Sequence, residues 1–143
     1  MSIFVERLKE YMQDLNLTQQ LMEDDYNICH TLTSDYLLEK TLPSYNTFIK
    51  LLYIFNCSAD YLLGLDEIPT EETLYTVLPF HERLRQVLRE KKISGEKLKR
   101  DMHVSGSVYY NWTSGKALPT SASLIRLAEY LDCSIDYLIG RRR

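Results

Sequence analysis

The chain of 143 residues has few of the residues that interrupt helices or cross-link loops. Its five glycines and four prolines are too few for the many tight turns of a β-sandwich, so helices joined by short turns are expected. Its three cysteines are an odd number, form no CxxC pair and have no histidine at a typical ligand spacing. The sequence therefore predicts no disulfide framework, no metal site and no cofactor.

Long apolar runs are also missing. No segment approaches the roughly 20 apolar residues that a membrane-spanning helix needs. Charged residues, beginning with Glu6 and Arg7, stand where a secretory signal has its apolar core. We therefore expect a soluble, cytoplasmic protein without membrane association. None of the three histidines stands in an arrangement typical of a catalytic triad, and we do not expect an enzyme.

The chain contains an internal repeat with a displacement of 76 residues. This displacement aligns residues 4–64 with 80–140 without a gap, and the identical residues cluster near the ends of the two copies. Such an alignment indicates duplication of one small domain. We expect a first domain at 1–64, a connector at 65–79 and a second domain at 80–143.

The two copies differ sharply in charge. Residues 1–66 hold four lysines and arginines against ten acidic residues, a formal charge of -6. Residues 80–143 hold thirteen lysines and arginines against seven acidic residues, a formal charge of +6. The net charge of -3 for the whole chain therefore hides a dipolar distribution, in which only the second copy suits a polyanion.

Apolar periodicity and capping residues predict five short helices in each copy. In the second copy they are expected near 79–91, 94–101, 105–113, 119–131 and 134–140. In the first copy they are expected near 3–14, 18–25, 29–38, 44–56 and 58–63. The expected fold class is all-α.

Two motifs in the second copy are specific to a known family. One is W-x-x-G-K-x-x-P, from Trp112 to Pro119, and the other is L-x-C-S-I-D-Y-L-I-G, over residues 131–140. With these motifs the copy resembles the Cro and phage-repressor-like helix-turn-helix domains, often called the Xre family. The first copy matches at its end but has Glu39 where the family has glycine. The resemblance implies two tandem, five-helix, lambda-repressor-like helix-turn-helix domains, the first of them degenerate and acidic.

The resemblance also implies how the second copy would read DNA. In this family the third helix enters the major groove with its N-terminal residues on base edges. The matching positions here are Gly106, Ser107, Tyr110 and Asn111. Asn111 is the strongest candidate, because an amide can form two hydrogen bonds with adenine. Gly106 departs from the family, which often has a long polar side chain at this position.

Contacts with the DNA backbone are implied for the second helix, its cap and the turn after the third helix. The matching residues are Ser94, Gly95, Lys97, Arg100, Ser114 and Lys116. The terminal arginines 141–143 fit two readings equally, further phosphate contacts or a disordered, solubilising end.

The first copy is compatible with three roles. It could form a homodimer, with Tyr45, Tyr53, Ile54 and Phe55 exposed on its fourth helix as a partner surface. It could instead pack on the second copy and mask its basic face. The third and weakest alternative is that it reads DNA through Thr31, Ser34 and Asp35.

The leading functional hypothesis is a sequence-specific transcriptional regulator of bacterial or phage origin that binds double-stranded DNA. We expect a dimeric repressor that reads the major groove with the third helix of its second domain. The alternative is a protein-interaction module, an antirepressor or toxin-antitoxin partner, that has lost specific DNA binding. In either case the acidic first domain is a possible binding site for a protein partner.

Overall fold

A computed structural model describes residues 2–70 and 73–142 of the chain. It divides into two compact units, Met1–Glu71 and Glu72–Arg143, called here unit one and unit two. Over the described ranges every regular element is a helix, so the prediction of an all-α fold is confirmed. Within the same ranges, no helix has the length and apolar character needed to cross a membrane.

Five helices lie in the described part of unit one, residues 2–70. They are α1 (Ile3–Asp14), α2 (Gln19–Tyr26), α3 (His30–Leu37), α4 (Tyr45–Phe55) and α5 (Ala59–Leu62). The hydroxyls of Ser2, Thr18, Ser44 and Ser58 accept hydrogen bonds from the first turns of α1, α2, α4 and α5. The apolar faces of these helices meet in a core that fully buries side chains such as Leu8.

Five further helices lie within residues 73–142 of unit two. They are α6 (Phe80–Lys91), α7 (Gly95–Met102), α8 (Gly106–Ser114), α9 (Ser121–Leu131) and α10 (Ile135–Leu138). Hydroxyl caps begin four of them, at Ser94, Ser105, Thr120 and Ser134. The helix expected from residue 119 begins at Ser121 instead, because Thr120 is its N-cap. Trp112, on α8, is 6% exposed and belongs to the core of unit two.

Helix bounds in the two units agree when one is displaced by 76 residues. The displacement places α2, α4 and α5 over α7, α9 and α10 with identical ends. An arginine contact repeats as well: half-buried Arg7 donates to the carbonyl oxygen of Tyr61, and buried Arg83 donates to that of Tyr137 over 2.9 Å. In each case the guanidinium also lies over the tyrosine ring.

Parts of the expected connector form hydrogen bonds within the units. The amides of Leu65 and Asp66 donate to the carbonyl oxygen of Asp60. In unit two, the amide of Leu78 donates to the carbonyl oxygen of Ile139 over 3.0 Å. Glu71 and Glu72, which supply charge to the connector, lie outside the described residues.

Candidate nucleic-acid interface

Helices α7 and α8 form a helix-turn-helix. Only residues 103–105 separate them, and His103 reverses the chain in a left-handed conformation with φ of 55°. Ser105 then begins α8 by accepting a hydrogen bond from the Val108 amide over 3.2 Å. A three-residue turn followed by a capped second helix is the arrangement that such motifs use to present a recognition helix.

The ring of Tyr109 fixes how α7 and α8 pack. It covers the first turn of α7 so closely that a Cβ atom at Gly95 would lie 2.6 Å from the Tyr109 hydroxyl oxygen. The ammonium of Lys99, on α7, lies 5.7 Å from the centre of the same ring. Glycine at position 95 therefore permits a close approach of the two helices.

The four residues predicted to read bases lie toward one side of α8, opposite buried Trp112. Gly106, Ser107 and Tyr110 are exposed, and Asn111 is half-buried. Their spacing of one, four and five residues is that of a single helix face. A Cβ at Gly106 would meet nothing within 4 Å, so the start of α8 has open space in front of it.

The residues predicted to contact the DNA backbone fall into two groups. Lys97, Arg100, Ser114 and Lys116 are exposed, which leaves them accessible to phosphate. The Ser94 hydroxyl instead accepts a hydrogen bond from the Lys97 amide over 3.1 Å, and Gly95 is half-buried under Tyr109.

An acidic side chain lies among these cations. Lys97 donates to Asp101 over 2.9 Å, and the Tyr130 hydroxyl donates to the same carboxylate over 2.7 Å. These two hydrogen bonds, that from Lys97 first, hold the pKa of Asp101 below its ordinary value. Since an exposed ion pair contributes little, Lys97 can exchange Asp101 for a phosphate at small cost.

The end of α8 is positioned by a glycine turn. Gly115 follows the helix with φ of 84°, a left-handed conformation that favours glycine. A Cβ at this position would also lie 3.0 Å from Nδ1 of His81. Beyond the turn, the Lys116 ammonium lies 5.0 Å from the centre of the Tyr110 ring, so this cation stays next to the exposed face of α8.

Sequence reasoning missed a basic groove beside the start of α7. The groove has a volume of about 400 Å³, and its lining includes Arg85, Arg89, Lys92 and the cap residue Ser94. Three cations next to a helix N-terminus form an arrangement suited to phosphate. The available signal was the spacing of Arg85 and Arg89, which places both on one face of α6.

Arginines 141–143 were expected either to contact phosphates or to form a disordered, solubilising end, and Arg141 does neither. Arg141 is 4% exposed, and its Nη1 atom lies 3.9 Å from an oxygen of the fully buried Asp136. Neither a disordered end nor an accessible phosphate contact describes this residue, because its charge is held inside unit two. Arg142 is half-buried, and Arg143 lies outside the described residues.

In unit one, the partner surface predicted on α4 is only partly exposed. Tyr53 is half exposed and Ile54 is half-buried, but Tyr45 and Phe55 belong to the core with exposures of 7% and 6%. The prediction was wrong for these two residues because they lie on the inner face of α4. Burial raises the pKa of Tyr45 to about 12.

The corresponding helix pair of unit one, α2 and α3, carries a different chemistry. Of the three residues weighed as base readers, Thr31 is exposed, while Ser34 and Asp35 are half-buried.

Three side chains with possible metal ligands come together where α2 meets α3. Glu23, Cys29 and His30 bring one oxygen, one sulfur and one nitrogen atom within 4.8 Å of one another. Cys29 and His30 are adjacent in sequence, a spacing that sequence reasoning did not count as typical of metal ligands, and the helix start brings their side chains together. Hydrogen bonds from the side chain and then the amide of His30 hold the pKa of Glu23 below its ordinary value.

Comparison with known proteins supports the assignment of the α7–α8 motif. Residues 84–138 match the family model described as Helix-turn-helix. A stretch of 62 residues is 39% identical to the HTH-type transcriptional regulator ImmR of Bacillus subtilis (strain 168), covering 43% of this chain and 49% of that protein. The chain thus spans about half the length of this curated relative. No solved structure matches the chain. The match places a helix-turn-helix domain within unit two.

Proposed function

We propose that this protein is a sequence-specific transcriptional regulator that binds double-stranded DNA through unit two. The observation that carries the proposal is the short turn between α7 and α8, which leaves the capped start of α8 exposed. An α-helix fits the major groove of B-DNA, where each base pair presents a distinct pattern of donors and acceptors. The helix-turn-helix match over residues 84–138 supports this reading.

In this proposal α8 reads the bases. Asn111 forms paired hydrogen bonds with adenine, a contact that contributes about 1 to 3 kcal/mol of discrimination. Ser107 donates or accepts and so reads loosely, while Tyr110 lies where its ring reaches either a base edge or a phosphate. Gly106 offers only backbone, and the duplex can therefore approach closely at the start of α8.

Affinity comes from cations and amides around the motif. Lys97, Arg100 and Lys116 contact phosphates, joined by the hydroxyl of Ser114. The amide of Gly95 would reach a phosphate only beside the Tyr109 ring, and Ser94 contributes to the lining of the basic groove, which extends the same surface. Each cation that contacts a phosphate adds about one unit to the dependence of log affinity on log salt concentration.

The proposal gives unit one a different role. We propose that residues 1–64 and 80–143 are tandem copies of one domain joined by 65–79, supported by the coincidence of helix bounds at a displacement of 76 residues. A formal charge of -6 over residues 1–66 disfavours contact of unit one with DNA. Unit one then serves as the homodimerisation domain of a repressor, since two-fold assembly doubles the length of the DNA site.

A second candidate function follows from the ion pairs on α7. Lys97 is paired with Asp101, and Lys99 with Glu96 over 2.8 Å, so two cations of the motif already have acidic partners. Together with the missing side chain at Gly106, this favours a protein-interaction module, an antirepressor or toxin-antitoxin partner, that has lost specific DNA binding.

Selection from random duplex DNA by the intact chain distinguishes the two candidates. The regulator is expected to enrich one motif with two-fold symmetry, and enrichment of a single half-site would remove the dimer from the proposal. If no motif is enriched and the chain binds duplex DNA only weakly, with binding that salt abolishes, the protein-interaction function would replace the proposed regulator.

A further inference from the structure

Three chemically different side chains converge where α2 meets α3 in unit one. Glu23 lies on α2, Cys29 is the residue before α3, and His30 is the first residue of α3. Their ligand atoms all lie within 4.8 Å of one another, and Nδ1 of His30 is 2.7 Å from an oxygen of Glu23.

The turn between the helices produces this arrangement. Asn27 adopts a left-handed conformation with φ of 57°, and buried Ile28 then anchors the chain by donating its amide to the Met22 carbonyl oxygen over 3.1 Å. The reversed chain returns Cys29 beside the last turn and a half of α2, where Glu23 lies. A core contact thus holds the turn, and the three polar groups are left at its surface.

Cys29 is unusual among the residues that precede helices in this unit. The hydroxyls of Ser2, Thr18, Ser44 and Ser58 each accept a capping hydrogen bond, whereas the Cys29 side chain makes no such bond. Its thiol is free and exposed. The side chain therefore has no capping role that would compete with binding a ligand.

We propose that Glu23, Cys29 and His30 bind a divalent cation of the Zn²⁺ class, with water as the fourth ligand. Thiolate, imidazole and carboxylate are the three side-chain ligands that Zn²⁺ takes in proteins. A thiolate is a poor ligand for Mg²⁺ or Ca²⁺, which prefer oxygen. Three protein ligands and one water give the open tetrahedral coordination common to accessible zinc sites.

The geometry requires only small side-chain movements. Around one tetrahedral Zn²⁺, ligand atoms lie about 3.3 to 3.6 Å apart, given bond lengths of about 2.0 Å to nitrogen and 2.3 Å to sulfur. The contact of 2.7 Å between His30 and Glu23 must therefore open slightly. Both side chains lie at the surface, 58% and 38% exposed, so no core packing opposes this movement.

The site is confined to unit one. The equivalent positions in unit two, 76 residues later, hold Lys99, Ser105 and Gly106, none of which is a zinc ligand.

A bound cation would tie α2 to the start of α3 and stabilise unit one, because it binds the folded chain in preference to the unfolded one. Binding weakens in acid, since protons compete for the thiolate and the imidazole.

Titration of the full chain with Co²⁺, in the presence of a reductant without thiols, tests this site. The wild-type protein is expected to bind one Co²⁺ that Zn²⁺ displaces, with visible d–d absorption of tetrahedral cobalt and a thiolate-to-cobalt charge-transfer band in the near ultraviolet. Cys29→Ser should remove that band and lower affinity by at least about 100-fold, since even the loss of an outer-shell partner costs 10 to 100-fold. Glu23→Gln and His30→Ala should each weaken binding by at least about 10-fold.

Matched variants separate the site from other thiols and imidazoles. Cys133→Ser and His103→Asn, both in unit two, should leave the spectrum and the affinity unchanged, and asparagine keeps the left-handed conformation at position 103. Cys29→Ser introduces a favoured capping residue, so its helix content should be preserved and unfolding cannot account for lost binding. No cobalt bound to the wild-type chain, a band that survives in Cys29→Ser, or a band lost in Cys133→Ser would each overturn the proposal.

Discussion

Tyr109 on α8 lies over Gly95 on α7 so closely that a Cβ at position 95 would be 2.6 Å from the tyrosine hydroxyl oxygen. The residues 76 positions earlier, in unit one, are Gln19 and Thr33, so the combination of glycine with tyrosine belongs to unit two. In unit two this contact sets the direction in which α8 is presented.

Two glycine substitutions test the contact. Gly95→Ala should destabilise unit two by up to about 1 kcal/mol, because the outer end of the half-buried Tyr109 ring must shift to admit the methyl group. Gly106→Ala is the matched control at the first residue of α8, where nothing lies within 4 Å, and it should stabilise by up to about 1 kcal/mol. Urea unfolding of the two variants measures both effects. If Gly95→Ala costs as much in a Tyr109→Thr background, the contact is not the cause.

Removal of two cations should change the salt dependence of DNA binding. With Lys97→Ala and Lys116→Ala combined, all duplexes should bind more weakly by a similar factor, and the slope of log affinity against log salt should fall by about two units. The matched control is Lys40→Ala with Lys50→Ala, which removes the same charge from unit one. An unchanged slope in the first variant would contradict the proposed docking.

Asp101 should make the stability of unit two depend on pH. Hydrogen bonds from Lys97 and Tyr130 lower the pKa of this carboxyl in the folded state. Its contribution to stability is therefore present above the unfolded-state pKa of about 4 and is lost as the pH falls through the lowered folded-state value. Urea unfolding should show Asp101→Asn less stable than wild type at neutral pH and equally stable in strong acid. A difference that persists in acid would assign the effect to something other than this charge.

Arg83 should be essential to the packing of α6 on the end of unit two. It is 6% exposed, donates to the Tyr137 carbonyl oxygen over 2.9 Å and lies 4.5 Å from the centre of that residue's ring. Lysine cannot make both contacts, so Arg83→Lys should destabilise by about 2 kcal/mol. Exposed Arg85 provides the control, with an expected change within about 0.5 kcal/mol on substitution by lysine. Equal effects of the two substitutions in thermal unfolding would show that burial of Arg83 is unimportant.

Much of the fold was predictable because local chemistry determines it. Serine and threonine at helix starts and the apolar spacing of helices such as α9 placed most boundaries within two residues. What sequence reasoning missed depends on tertiary packing. Tyr45 and Phe55 were assigned to the surface although they face inward, and Arg141 has a buried acidic partner that charge alone did not indicate.

The candidate site was predictable to the extent that the third helix was recognised. The four positions proposed to read bases were carried over from the family resemblance, and the predicted start of the third helix at Ser105 agrees with the cap of α8. The spacing of four residues between Lys97 and Asp101, and between Arg85 and Arg89, was readable in the sequence and was overlooked. The hydrogen bond from Tyr130 to Asp101 depends instead on tertiary packing. Glu23, Cys29 and His30 converge only because Asn27 reverses the chain.

The central claim, that α8 reads DNA sequence, is tested most directly with Asn111→Ala. The measurement is the ratio of affinities for the duplex selected by the intact chain and for a scrambled duplex, at one fixed salt concentration. The account predicts that this ratio falls by about 5 to 150-fold, corresponding to about 1 to 3 kcal/mol, while binding to the scrambled duplex stays unchanged. An equal loss on both duplexes would place Asn111 on the backbone, and no loss on either would contradict base reading by this residue.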